Sequence, residues 1–302
     1  MPSRNAKPRP RGTLVEIAPG RRLHAVFAGP AAAQPLVLLE AGAFGFSADW
    51  AAVQGALADI GLRSVAYDRA GLGFSDEGPS PRDGLAIAAD RDSLLAAMGE
   101  TGPFIFCGHS MAGLHARLFA AGHRDATLGV VLVDATTPEA MESRLVSGLV
   151  DQFARASKLA AWGAGVGLLK PLSETGLGDA IGLAGPASGE KRWAFAHGAH
   201  NQWAAAEVEA WPQTAEQARA AGPFDPELPV AVVLAGAASA NSPVRAFQTT
   251  PADDSTRGRV EYVTGANHAS LLSPTYADAI VRAVQYVRGR SADGASVSPA
   301  TA

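Results

Sequence analysis

The stretch Phe104-Ile-Phe-Cys107-Gly108-His109-Ser110-Met111-Ala112-Gly113-Leu114 joins an apolar run to a helical one through a turn of small residues. Phe104–Cys107 is continuously apolar, as a strand buried on both faces must be. From Met111 onward apolar residues recur at Leu114, Leu118 and Phe119, the spacing of a helix. A serine in such a turn has its hydroxyl lifted above the sheet. The helix that follows offers free backbone N–H groups and the positive end of its dipole to a developing oxyanion. Gly108, Ala112 and Gly113 let strand and helix approach closely. The pattern nominates Ser110 as a nucleophile. The plain alternative is an ordinary turn with a bystander serine, and in a chain this rich in Gly, Ser and Ala the pentapeptide alone does not separate the two.

Outward from the turn, short β-rich runs alternate with helical ones. Thr13–Ile17, Leu23–Phe27, Leu36–Leu39, Arg63–Tyr67, Val130–Val133, Val230–Leu234 and Val260–Val263 read as further strands. Gly84–Met98 and Pro274–Arg288 carry amphipathic helical spacing. This alternation predicts an α/β fold with a mostly parallel, roughly eight-stranded sheet and helices on both faces. It stops over 138–227, which reads as helical with Trp162, Trp193, Trp203 and Trp211 and a Gly-rich stretch at 163–167, and which we expect to form a helical cap. The core is then 13–137 and 228–290. The basic, Pro-rich 1–12 and the small, polar 291–302 are expected to be a disordered extension and tail.

Of 302 residues, 47% are apolar and 18% charged, and the net charge is −4. No Lys/Arg cluster lies beyond the first dozen residues, which argues against a nucleic-acid partner. No stretch approaches the ~18 uninterrupted apolar residues of a membrane span, so no membrane partner is expected. No apolar segment follows the basic leader to make a secretory signal, and a cytoplasmic location is expected. The single cysteine, Cys107, excludes an internal disulfide and any Cys-based metal cluster. Neither metal nor cofactor is expected, and no G-x-G-x-x-G or P-loop opens the first strand-to-helix turn.

Four motifs stand in order around the turn: Leu36-Val-Leu-Leu-Glu-Ala-Gly42 with Ser47-Ala-Asp-Trp50, Tyr67-Asp-Arg-Ala-Gly-Leu-Gly-Phe-Ser75-Asp76, the Ser110 turn itself, and Gly265-Ala-Asn-His268. In that order the chain resembles the α/β-hydrolase fold family of serine esterases and lipases over roughly 20–137 and 228–288. The resemblance implies His268 as the general base. It also implies a loop-holding role, without chemistry, for Asp68 and Arg69. In most relatives the triad acid follows the penultimate strand in a Gly-x-x-Asp segment. Here that place reads Leu234-Ala-Gly236-Ala-Ala-Ser239-Ala-Asn241 and holds no carboxylate. Asp134, at the end of the Val130–Val133 strand, is the favoured replacement, with Asp253 and Asp254 as fallbacks. The alternative is that Asp134 is structural, as an Asp at this place is in many relatives.

An oxyanion hole needs two backbone donors. The resemblance points to the N–H of Met111 and to the loop after Leu36–Leu39, where Ala43 is the donor of choice and Phe44 the next. Glu40 is either a buried anchor or a solvated residue. Phe44, His109, Trp162, Trp193 and Trp203 are expected to bind substrate, although aromatic residues in a helical insertion also simply form core. The expected reaction is hydrolysis of a small-molecule carboxylic ester or lactone, apolar or aromatic in character, through an acyl-enzyme. Amide or C–C bond hydrolysis on the same triad stays open. So does a non-catalytic binding protein of this fold, which the missing carboxylate would suit. Substrate identity and oligomeric state have no signature in the sequence.

Overall fold

A computed structural model of the chain describes residues 7–239 and 243–295. The strands are β1 (Thr13–Ala18), β2 (Arg21–Ala28), β3 (Leu36–Glu40), β4 (Arg63–Tyr67), β5 (Phe104–His109), β6 (Thr127–Val133), β7 (Val230–Ala235) and β8 (Gly258–Val263). They form one eight-stranded sheet in the order β1-β2-β4-β3-β5-β6-β7-β8. β1 and β2 are antiparallel, β2 meets β4 antiparallel, and every pair from β4 to β8 is parallel. The alternation expected from the sequence is therefore the architecture.

Helices α1 (Ala51–Asp59), α2 (Gly84–Ala97), α3 (Ala112–Gly122), α4 (Arg144–Gly165), α5 (Gly185–Ala196), α6 (Gly198–Glu209), α7 (Trp211–Ala220), α8 (Pro243–Asp253) and α9 (Ala277–Ala295) complete the fold. The central strands β3, β5, β6 and β7 carry continuous apolar runs because both of their faces are covered. Val37, Leu39, Ile105, Cys107, Val131 and Val133 pack toward α1 and α9. Their neighbours Leu36, Leu38, Phe104, Phe106, Val130 and Leu132 pack toward α2 and α3. Two helices lacked a sequence signal. In α1 the Ala-rich run Ala51-Ala-Val-Gln-Gly-Ala-Leu-Ala-Asp59 blurs the apolar stripe, and α8 contains Pro251 and two threonines.

Between Pro138 and Glu227 the described chain forms α4–α7 with no strand. These helices sit on α3, where Met111, Leu114 and Leu118 meet Val150, Val208, Trp211 and Ala215. The ends depart from expectation. Residues 1–6 lie outside the described residues, but Lys7 places its ammonium over the rings of Phe74 and Trp193. Arg11 pairs with Glu190 and bonds the carbonyl of Ser47. Charge and cation–π contacts thus hold residues that were expected to be disordered. At the other end α9 continues to Ala295, with the Ser291 hydroxyl donating to the carbonyls of Leu128 and Val287, and 296–302 lie outside the described residues. No helix among the described residues is long and apolar enough to cross a membrane.

Candidate active site

Three non-glycine residues have positive φ among the described residues: Phe44 (58°), Ser110 (56°) and Asp134 (43°). Such backbone costs of order 1–3 kcal/mol each and persists only where the surroundings enforce it. All three lie just beyond the carboxyl ends of parallel neighbours: Phe44 after β3, Ser110 after β5 and Asp134 after β6.

Ser110 begins the turn from β5 into α3. Its N–H donates to the Val133 carbonyl at 3.0 Å, and its own carbonyl accepts from Gly113 and Thr136, so the elbow is pinned on both sides. Gly113 has to be glycine, because a Cβ there would collide with the Thr136 carbonyl. On the β3 side, a Cβ on Gly42 would lie 2.6 Å from the Ser110 Cβ and 3.2 Å from its Oγ. The loop after β3 therefore rests directly on the serine.

That loop is a β-turn over Gly42–Gly45, closed by the Gly45 N–H on the Gly42 carbonyl at 3.1 Å, with Phe44 in the left-handed third position. Arg69, buried after β4, donates to the carbonyls of Ala41 and Gly42. Its guanidinium is paired with Glu207 of α6 at 2.8 Å, both side chains being buried. Burial works against the Arg69 cation, but Glu207 and Glu40 outweigh it and hold it protonated. With these carbonyls occupied, the N–H of Ala43 and that of Met111, at the start of α3, have no acceptor among the described residues. Both expected donors are thus free. Behind them Glu40 proves to be a buried anchor, bonded to His115 of α3 and facing Arg91 at 3.9 Å. Burial raises its carboxyl, yet His115 and the arginines bring it down to about 2.

His268 follows β8. Its Nδ1 lies 2.6 Å from Asp134 Oδ2, while Gln248 of α8 donates to Oδ1 at 3.3 Å. Burial raises the Asp134 carboxyl, but the hydrogen bond and charge of His268, then His109 and the Ala235 N–H, hold it below the usual carboxylate range. Asp253 and Asp254, the fallbacks, are exposed at the end of α8. In the loop after β7, where the sequence holds no carboxylate, Arg245 binds the carbonyls of Ala235 and Ala237. Asn267 shapes the histidine loop, its Oδ1 accepting from the N–H groups of Ala269 and Ser270.

His109, expected to bind substrate, is buried instead. Its Nε2–H donates to the His268 carbonyl at 3.0 Å and its ring stands 4.5 Å from the His268 ring. Burial and the nearby His268 pull its pKa down to about 3, so it is a neutral prop under the histidine loop. No hydrogen bond joins Ser110 Oγ to His268 among the described residues, a looseness common before substrate binds.

Of the aromatic residues expected at a pocket, Phe44 packs with Met111 and meets Phe153 of α4 edge-on at 6.0 Å. Trp162 is 60% exposed on α4. Trp193 stacks on Phe74 at 5.1 Å, and Trp203 packs on Gly71 in the turn after β4. These two tryptophans pack α5 and α6 against the loop after β4. A cavity of about 450 Å³ lies at the amino ends of β6 and β7, between Arg117, Leu128, Phe224 and Arg257. It is at the opposite edge of the sheet from Ser110.

A strand-to-helix serine, a histidine after the last strand and a carboxylate on that histidine define the architecture of an α/β hydrolase. The family model described as "Alpha/beta hydrolase family" matches residues 36–283, and the chain belongs to that family. Among curated proteins, it is 36% identical over 122 residues to "Probable transporter efuK" of Hormonema carpetanum, covering 38% of this chain and 17% of that protein. It is 31% identical over 118 residues to an "AB hydrolase superfamily protein" of Gibberella zeae, covering 38% of this chain and 36% of that one. The match thus spans well under half the length of either relative. Among solved structures, it is similar to a thermophilic esterase from Thermogutta terrifontis (21% identity, TM-score 0.64, covering 92% of this chain and 99% of that one). It is also similar to a putative epoxide hydrolase from Pseudomonas aeruginosa (18% identity, TM-score 0.71, covering 94% and 99%). At those identities the likeness is one of fold.

Proposed function

We propose that the protein is a serine hydrolase that cleaves a carboxylic ester or lactone of apolar or aromatic character. The observation that carries this reading is the 2.6 Å contact between His268 Nδ1 and Asp134 Oδ2, beside a serine held in a left-handed elbow. Ser110 Oγ attacks the carbonyl carbon as its proton passes to His268 Nε2. The resulting oxyanion is met by the N–H groups of Ala43 and Met111. Asp134 stays ionised, fixes the Nδ1–H tautomer and offsets the imidazolium charge. Collapse of the tetrahedral species breaks the C–O bond, and the departing alkoxide takes the proton from His268. Water, deprotonated by the same histidine, then releases the acid and restores Ser110.

The test is a fluorophosphonate probe, together with a screen of p-nitrophenyl esters and lactones. Wild-type protein should be labelled on Ser110 and should turn over at least one substrate class. Ser110→Ala and His268→Ala should do neither. An unlabelled wild-type protein sinks the hydrolase reading in favour of a binding protein of the same fold.

A further inference from the structure

Nine of the thirteen large apolar side chains exposed among the described residues fall within 145–177, in α4 and the loop after it. On α4, Leu145, Leu149 and Phe153 recur at i, i+4 and i+8, and Leu159, Trp162 and Val166 follow at i, i+3 and i+7. Turning about 100° per residue, these side chains spread over about half of the helix circumference, from Phe153, which also meets Phe44, round to Trp162, with Val166 just beyond the end of α4. Val146, Val150, Ala161 and Ala164 are buried, Val150 against α3, α6 and α7. A 22-residue helix is about 33 Å long, and an apolar face of that length is more than a monomer ordinarily leaves in water.

The charges around this face indicate what covers it. Within 144–177 four exposed cations, Arg144, Arg155, Lys158 and Lys170, stand against two exposed carboxylates, Asp151 and Glu174, while the exposed Glu142 and Glu209 beside them are paired with Arg219 and Lys158, in a chain whose net charge is −4. Lys158 pairs with Glu209, whereas Arg144, Arg155 and Lys170 make no ion pair among the described residues. A second copy docked through this face would bring like cations together across the contact. Anionic headgroups would neutralise them while the Leu and Trp side chains enter the acyl boundary.

We infer that the exposed face of α4 is a docking surface for an anionic lipid membrane, on which the helix lies flat. Such a surface needs no spanning segment, so the shortness of the apolar runs in the sequence does not bear on it. The inference is independent of the reaction proposed above, and its test reads binding alone.

The full chain is to be sedimented with vesicles of phosphatidylcholine mixed with phosphatidylglycerol, and with vesicles of phosphatidylcholine alone. Binding is expected to the mixed vesicles, to weaken with salt, and to shift the emission of Trp162 to the blue. The shift is read as the difference from Trp162→Phe. The double variant Arg155→Glu/Lys170→Glu should lower partitioning by more than about tenfold, since each cation near the surface contributes roughly fivefold. Leu149→Ser/Leu159→Ser should also lower it by more than about tenfold, with both variants retaining the wild-type circular dichroism. No binding to the mixed vesicles, or equal binding to both kinds, overturns the inference. So does a wild-type dimer in lipid-free buffer that Leu149→Ser/Leu159→Ser converts to monomer, because the face then belongs to a second copy.

Discussion

Replacing Asp134 by Asn removes one charge from the candidate site with almost no change in volume. In the intact protein Oδ2 sits 2.6 Å from His268 Nδ1. With charge centres about 4 Å apart, an imidazolium–carboxylate pair is worth about 4 kcal/mol at an effective dielectric near 20. The His268 side chain is 52% exposed, so solvent screens part of this and about 3 kcal/mol is the fitting figure. That is about a hundredfold in rate. An amide can also turn its NH₂ toward Nδ1, which selects the tautomer unable to take the serine proton and moves the loss toward a thousandfold. The assay is the second-order rate of fluorophosphonate labelling at Ser110, alongside kcat/KM for a p-nitrophenyl ester across the pH range. Asp134→Asn should lose about two to three decades in both while keeping the wild-type fold. If it stayed within about threefold of wild type while Asp253→Asn/Asp254→Asn was crippled, the reasoning would be refuted.

Two further outcomes follow from the loops around the serine. Gly42→Ala puts a Cβ 2.6 Å from that of Ser110, which cannot swing away, so the turn bearing the Ala43 N–H must shift. Labelling should slow by more than about tenfold, and wild-type rates would show that this turn takes no part. Glu40, held at about 2, contributes stability that is complete above its ordinary value of 4.5 and is lost as pH falls from there toward 2. Urea unfolding should therefore show Glu40→Gln less stable than wild type at neutral pH, by about 3 kcal/mol at most. The gap should narrow on acidification, and a gap constant from pH 7 to 3 contradicts the assignment.

The central strands are legible in the sequence because a strand covered on both faces carries an apolar run, and the outer strands β1, β2 and β8 because they are short and rich in β-branched, aromatic and alternating apolar residues. The missing helices are those whose composition hides their periodicity: α1 for its alanines, α8 for its proline and threonines. At the site, the spacing of small residues around Ser110 and the Gly-Ala-Asn-His run after β8 can be read directly, since both are local turn chemistry. Gln248 and Glu207 have no such local mark. Asn267 does have one, as an Asn beside a turn is a common capping residue.

By itself, then, the sequence determined the run of strands and helices, the elbow serine and a histidine in the last loop, because each is written in contiguous residues. The sequence favoured Asp134 with Asp253 and Asp254 behind it, but only the tertiary structure brought its carboxylate to a histidine 134 residues away and paired Arg69 with a glutamate 138 residues away. Parallel strands separated by whole helices deliver their carboxyl ends to one edge. Which side chains meet there depends on register and backbone angle, such as the 43° φ at Asp134, and these arise only when the sheet assembles.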